Sequence, residues 1–303
     1  MTLVTSFAES DADLEVMVAV RAAVSPDLSP PKIESLRHNL DSNAELSYAI
    51  ALLDGEPAGC GFVELEDEPF AVVQVDVVPA LRGRGVGTAL LADVSQHAAA
   101  HGKSELQGEA RQSDSESQAY FERRGYKPVG GEQAVALDLA AHEPLPVEPP
   151  SGIAIVSRAE RPELAEGMYE VAREAEQDIP GATPDRSFEI WRAREIDRPT
   201  RDPAFTFIAL AGDDVVGYAG MEAHGSDVFH GLTAVKRAWR GKGVATALKR
   251  SQIAVAKQRG FARLVTESEE RNTPMRKLNE KLGYLPEPSL STVVLRGPLL
   301  PSP

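Results

Sequence analysis

Two short stretches of this chain mix glycine with basic residues in a way that suits an anionic ligand. They are Arg82-Gly83-Arg84-Gly85-Val86-Gly87 and Arg240-Gly241-Lys242-Gly243-Val244-Ala245. Each follows an apolar, strand-like run and opens a helix-like one. A helix start offers unpaired N–H groups and a partial positive charge, and glycine lets the backbone approach a ligand closely. Arg82, Arg84, Arg240 and Lys242 add cationic charge. That is the construction of a diphosphate site. Two other phosphate loops fit worse. Gly-x4-Gly-Lys-Ser/Thr is absent, and the dinucleotide pattern Gly-x-Gly-x-x-Gly, counted from Gly83, puts Thr88 in its last place.

The two stretches lie 158 residues apart. The same offset pairs Gly59 with Gly217, Gly102 with Gly260, Glu109 with Glu267, and Gly125-Tyr126 with Gly283-Tyr284. One offset held over that distance marks an internal duplication. The chain has 303 residues, which suits two domains of roughly 150. Pro144, Pro146, Pro149 and Pro150 make residues 142–152 a semi-rigid linker, between domains at 1–141 and 153–303.

Hydrophobic periodicity gives the elements that must position these loops. In the first copy it predicts helices over 11–24 and 31–41 and strands over 46–53, 57–66 and 70–78. Asp54-Gly55 separates the first two strands as a hairpin turn, and Glu66-Asp67-Glu68-Pro69 the next two. A helix follows over 86–100, then a strand near 104–110, a helix near 116–124 and a strand near 132–139. The second copy predicts helices near 161–176 and 185–195, then strands near 204–211, 214–223 and 228–235. A helix from Val244, a strand near 262–267, a helix over 274–282 and a strand over 291–296 complete it. This is a mixed α/β class whose sheets begin as antiparallel meanders, unlike the βαβ rhythm of a dinucleotide fold.

Composition narrows the partners. With 32 basic and 46 acidic residues the net charge is −14, which repels phosphate backbones and argues against nucleic acid. One cysteine, Cys60, excludes an internal disulfide and a cysteine-rich zinc site, and fits a reducing, cytoplasmic setting. The first residues lack a basic region followed by an apolar run, and no apolar stretch is long enough to span a membrane.

Arg-x-x-Gly-x-Gly/Ala after a strand, followed by Asn272-x-x-Met275-x-x-x-Asn279-x-x-Leu282-Gly283-Tyr284, resembles the GNAT-type N-acetyltransferases. The resemblance covers nearly the whole chain, twice, in a layout similar to that of mycothiol synthases. It implies two tandem domains, each a mostly antiparallel central sheet flanked by helices. It implies acetyl-CoA as cosubstrate, no metal, and direct attack of a primary amine on the thioester in a ternary complex. Both glycine loops, Arg82–Gly87 and Arg240–Ala245, would hold the pyrophosphate. The fourth strand would part from the fifth, its backbone pairing with the pantetheine amides at Val75 and Val77 in one copy and at Thr233 and Val235 in the other. Asn272 matches a CoA-contacting asparagine, where the first copy has Asp114.

The departures bear on catalysis. Many members carry a tyrosine acid four residues before the Gly-Phe glycine; here stand Phe121 and Asn279, with Tyr120 about 100° round its helix. Histone-type members carry a glutamate eleven residues before the loop arginine; here stand Ala71 and Phe229. Glu109 and Glu267, at the end of each fifth strand, are candidates to draw the amine's proton. His230, on the strand bordering the second cleft, is a candidate base. Cys60, between Gly59 and Gly61, reads as a small buried residue, and Asp76 interrupts the apolar run Val72–Val78 without an evident role. The acidic balance favours a cationic amine acceptor. Asn272 and the Asn-x-x-Met helix favour turnover in the second copy. The competing expectation is a non-catalytic acyl-CoA sensor, motivated by the missing tyrosine.

Overall fold

The computed structural model describes residues 1–26, 30–65, 68–178, 187–269 and 271–300. In chain order the first elements are β1 Leu3–Phe7, α1 Asp11–Val24, α2 Ile33–Ser42, β2 Leu46–Leu53, β3 Glu56–Leu65 and β4 Phe70–Val77. Next come α3 Val86–Ala100, β5 Glu105–Arg111, α4 Ser115–Glu122 and β6 Lys127–Asp138. The second series is β7 Ile153–Ser157, α5 Ala165–Glu176, α6 Phe188–Glu195, β8 Phe207–Ala211, β9 Asp214–His224 and β10 Asp227–Val235. It ends with α7 Val244–Gln258, β11 Arg263–Glu269, α8 Thr273–Lys281, β12 Leu285–Pro286 and β13 Thr292–Pro298. Glu66 and Asp67 of one expected turn, and residues 185–186 of one expected helix, lie outside the described residues.

The chain forms two compact units, Met1–Glu132 with Pro288–Pro303, and Gln133–Glu287. In the first, the strand order is β1-β2-β3-β4-β5-β13 followed by the start of β6. In the second, the end of β6 is followed by β11-β10-β9-β8-β7. The place beside β5 is thus taken by β13, in antiparallel register from Thr292 opposite Arg111 to Pro298 opposite Glu105. The closing strand of the second copy completes the first unit. Repeat spacing shows that both copies end in a strand, but not which sheet each strand joins.

Local chemistry explains the elements. Ser10 caps α1 in a reciprocal box with Asp13, and Leu14, Met17 and Val20 form its buried stripe. Asp54 and Gly55 both take positive φ, 53° and 90°, which closes the β2–β3 hairpin with the twist of its strands. Helix α3 lays Val86, Leu90, Leu91, Val94 and Ala98 on Ala71, Val73 and Leu106 of the sheet. Opposite, α1 and α2 cover Tyr48, Ile50 and Cys60. In the second unit α7 covers one face with Leu248, Ile253 and Ala256, while α5 and α6 cover the other with Met168, Val171 and Trp191. No described helix is long and apolar enough to cross a membrane.

Candidate active site

In each unit two parallel strands fork. Strand β4 pairs with β5 from Phe70 opposite Glu105 to Val73 opposite Gly108, and then runs on to Val77 without it. Strand β10 pairs with β11 only from Asp227 opposite Arg263 to Phe229 opposite Val265, and runs on to Val235. Each fork leaves a strand edge that no neighbouring strand pairs, suited to an extended ligand carrying amides, although in the second unit the Val235 carbonyl already accepts from Arg240. That edge carries Val75 and Val77 in the first unit, and Thr233 and Val235 in the second. The forks differ in one respect. The β10–β9 register slips between His230 and Thr233, a bulge of one residue, whereas β4 pairs with β3 without interruption.

Both glycine loops lead from the fork into a helix. Gly85 and Gly243 stand just before α3 and α7 with φ of 88° and 92°, a conformation that favours glycine. A side chain at Gly83 or Gly85 would meet nothing within 4 Å, so the first loop is open to a ligand. Arg84 is exposed, and Arg82 is held by Asp114 at 3.4 Å and Glu116 at 3.5 Å. The second loop is more encumbered. Pro150 lies 3.6 Å from where a Cβ on Gly243 would be. The segment leading to it is tied along α7, with Arg250 donating to the Pro146 carbonyl and Lys257 to that of His142. Arg240 bonds Asp178 at 2.6 Å and the Val235 carbonyl, and Arg237 shares Asp178. Lys242 lies over the Trp239 ring at 4.9 Å. The two guanidinium groups hold the Asp178 carboxyl down at about 2. Replacing Asp178 by alanine is therefore expected to release both arginines from this carboxylate and tighten a diphosphate ligand at this loop by ~2–5-fold at low salt, the usual worth of exposed pairs. Isothermal titration at two ionic strengths checks this.

The single side chains are placed as follows. Asn272 caps α8, its oxygen accepting from Met275 N at 3.3 Å, and Asp114 caps α4 in the same way through Ser117 N at 3.0 Å. Glu267 is on the exposed side of β11. Glu109 stands on β5 opposite Val294, and burial first, then the neighbouring Glu132, raises its carboxyl. Tyr120 turns to Thr88 on the first turn of α3, at 3.4 Å, beneath the Arg124 guanidinium. Phe121 is buried against Tyr126. Cys60 is buried, and burial pushes its thiol up to about 12. Asp76 does have a partner: Arg21 of α1 reaches it at 2.9 Å and Gln74 at 3.0 Å. Among the described residues no three His, Cys, Asp or Glu side chains gather as a metal site.

His230 sits at the second fork, the first residue of β10 beyond the last pair with β11. Its Nε2 is 2.6 Å from the Tyr284 hydroxyl, and burial, then the charge of Lys249, lowers its pKa well below the usual range. Lys249 and Gln252 of α7, both buried, were not among the expected site residues. A signal for them exists in the sequence: at the common offset they face Leu91 and Val94, so only a residue-by-residue comparison of the copies marks them.

A mixed sheet that forks beside a glycine-rich helix start is thus present twice. The chain belongs to the Acetyltransferase (GNAT) family, whose model matches residues 17–126 and 166–284. It is 30% identical over 100 residues to N-alpha-acetyltransferase 30 of Schizosaccharomyces pombe, an alignment covering 31% of this chain and 67% of that protein. A tandem GNAT protein from the clavulanic acid biosynthesis pathway has the same fold over 100% of both chains, with a TM-score of 0.78 and 20% identity. A GCN5-related N-acetyltransferase from Sphaerobacter thermophilus is similar over 99% of this chain and 97% of its own, with a TM-score of 0.72 and 22% identity. Family membership supports acetyl transfer from acetyl-CoA to an amine as the general activity.

Proposed function

We propose that the protein moves an acetyl group from acetyl-CoA to a primary amine by direct attack in a ternary complex, and that the second copy, 153–303, is the one that turns over. The observation that carries this reading is the β10–β11 fork. It joins a free strand edge, a bulge, a glycine-started helix and polar side chains at one point. The loop Arg240–Ala245 would take the diphosphate, and the backbone at Thr233 and Val235 the pantetheine amides. Thr233 Oγ1, shut from solvent and without a hydrogen-bond partner among the described residues, fits a site meant to be filled. His230 stands at the reacting end, and Glu267 on the fifth strand would receive the proton of a cationic amine. The first copy, 1–141, has the more open loop, with Val75, Val77 and Arg82–Gly87 as its ligand-binding groups, but Phe121 where an acid would serve. It would bind acetyl-CoA without turning it over.

A non-catalytic acyl-CoA sensor is the second reading, favoured by Phe121 and Asn279 at the tyrosine positions. Both readings require the same ligand. Acetyl-CoA at 100 times its dissociation constant is expected to stabilise the protein by about 2.7 kcal/mol in thermal melts. A melting temperature raised by NAD and not by acetyl-CoA would overturn both.

A further inference from the structure

The two copies fill the same space, beneath the fork and between the loop helix and the helix after it, with opposite chemistry. In the first unit this space holds Val73, Leu91, Val94 and Phe121 around Tyr126, all in one apolar cluster. Phe121 and Tyr126 lie 5.1 Å apart, ring to ring. In the second unit Lys249, Gln252 and Asn279 take the places of Leu91, Val94 and Phe121, and Tyr284 that of Tyr126. The bulge supplies the last member. Phe229 lies opposite Val265 as Val72 lies opposite Gln107, so His230 follows where Val73 stands.

The polar set is not needed for packing, because the first copy packs the same backbone with hydrocarbon. It is also under-satisfied. The side-chain amide of Asn279 is shut from solvent without a hydrogen-bond partner among the described residues, and the buried amide of Gln252 turns to His230. Lys249 is 1% exposed and makes no hydrogen bond or ion pair among them. Its ammonium lies 5.6 Å from the centre of the Tyr284 ring, whose hydroxyl is bonded to His230 at the fork. The titratable groups facing it are His230 from β10 and Tyr284 after α8. The other elements packed on α7 present Ile153, Ala209, Ala219 and Met221, and the buried acids of β9 and β10, Glu222 and Asp227, pair with Arg201 and Arg263 instead. A buried cation without an anion is costly, and unpartnered buried polar groups are rare. Together they describe a site prepared for a group that arrives with negative charge.

We propose that Lys249 is the proton donor to the departing thiolate in the second copy, with His230, Gln252, Asn279 and Tyr284 as the polar lining that admits both. This rests on the transferase reading above. In the step, the amine nitrogen bonds the acetyl carbon and the C–S bond breaks. The sulfur takes a proton from the Lys249 ammonium, and the proton shed by the amine returns to the lysine through solvent. Burial pushes the Lys249 amine down to about 7, where a proton donor is most effective near neutral pH.

The test compares the full chain with Lys249→Leu, the first copy's own choice at that position, and with His230→Val/Lys249→Leu/Gln252→Val/Asn279→Phe, the whole first-copy set. Acetyl-CoA-dependent thiol release with a panel of primary amines is followed from pH 6 to 9. The unmodified protein is expected to lose rate on the alkaline side as Lys249 deprotonates. Both variants are expected to lose that limb and to fall ~100-fold or more at pH 6.5, while acetyl-CoA still binds. The thiolate absorbance of bound CoA gives a readout apart from turnover: the thiol should ionise at lower pH in the unmodified protein than in Lys249→Leu. Equal rates with the same alkaline limb, or equal ionisation of bound CoA, overturn the role of Lys249. An unmodified protein that releases no thiol with any amine overturns the transferase reading itself, and this inference with it.

Discussion

Replacing Lys249 by leucine is expected to stabilise the second unit by about 4 kcal/mol at pH 7 and to raise its melting temperature by ~10 °C. Burial moves the amine from an ordinary 10.5 to about 7 in the folded chain, and unfolding restores it. Below pH 7 the lysine is charged in both states, and the full cost of burying that charge opposes folding. Between pH 7 and 10.5 the native state sheds the proton while the unfolded state keeps it, so the cost shrinks. The gap between variant and parent should therefore narrow by about 1.4 kcal/mol per pH unit above 7. Leu91, fully buried at the matching place in α3, shows that leucine fits. Melts at several pH values between 6 and 9.5 check this, and a gap that does not vary with pH would contradict it. A variant more stable and less active would show a site held at the expense of stability.

The second large effect separates the two loops. Gly243→Glu and Gly85→Glu each put a carboxylate beside the helix-start N–H groups proposed to face phosphate, at a φ near 90° that side chains rarely adopt. The protein should stay folded in both cases. Gly85 has open space around it, and at Gly243 a new Cβ would make only ordinary contact with Pro150. Each variant is expected to lose acetyl-CoA at its own loop. Gly243→Glu should also cut acetyl transfer by ~100-fold or more, about 2.7 kcal/mol, whereas Gly85→Glu should keep most of the rate. Titration calorimetry with steady-state rates on both variants checks this. The reverse pattern would place turnover in the first copy, and equal partial losses would mean two working sites.

Much of this architecture was legible in the sequence. The helices α1 and α3 follow from periodicity because they bury regular stripes, whereas the meander strands β2 and β3 show as short apolar runs bounded by turns, buried over four consecutive residues. The turn at Asp54-Gly55 followed from two residues that tolerate positive φ. What escaped is what depends on distant chain. β1 and β7 are five-residue strands, each paired at the margin of its sheet, too short to show a period. The place of β13 beside β5 depends on pairing between residues nearly two hundred apart. In the site, the loops could be read locally, but the tie of Arg240 to Asp178 and the approach of Pro150 to Gly243 could not. Asn272 carried a signal for a ligand contact, yet its side-chain oxygen caps its own helix. His230 was visible as a candidate, but its partner Tyr284 was not, since the bulge moves the strand by one residue. Lys249 and Gln252 look like surface residues of a helix until they are set against Leu91 and Val94.

The central claim, that this chain transfers acetyl groups to amines, is tested most directly by incubating the 303-residue chain with acetyl-CoA and a broad panel of primary amines. Free CoA thiol is followed together with the mass of the amine. The expected result is saturable, amine-dependent thiol release, matched one for one by an acetylated amine, and strongest with cationic acceptors. Saturable acetyl-CoA binding without amine-dependent release across the panel would contradict the claim and leave the sensor reading in its place.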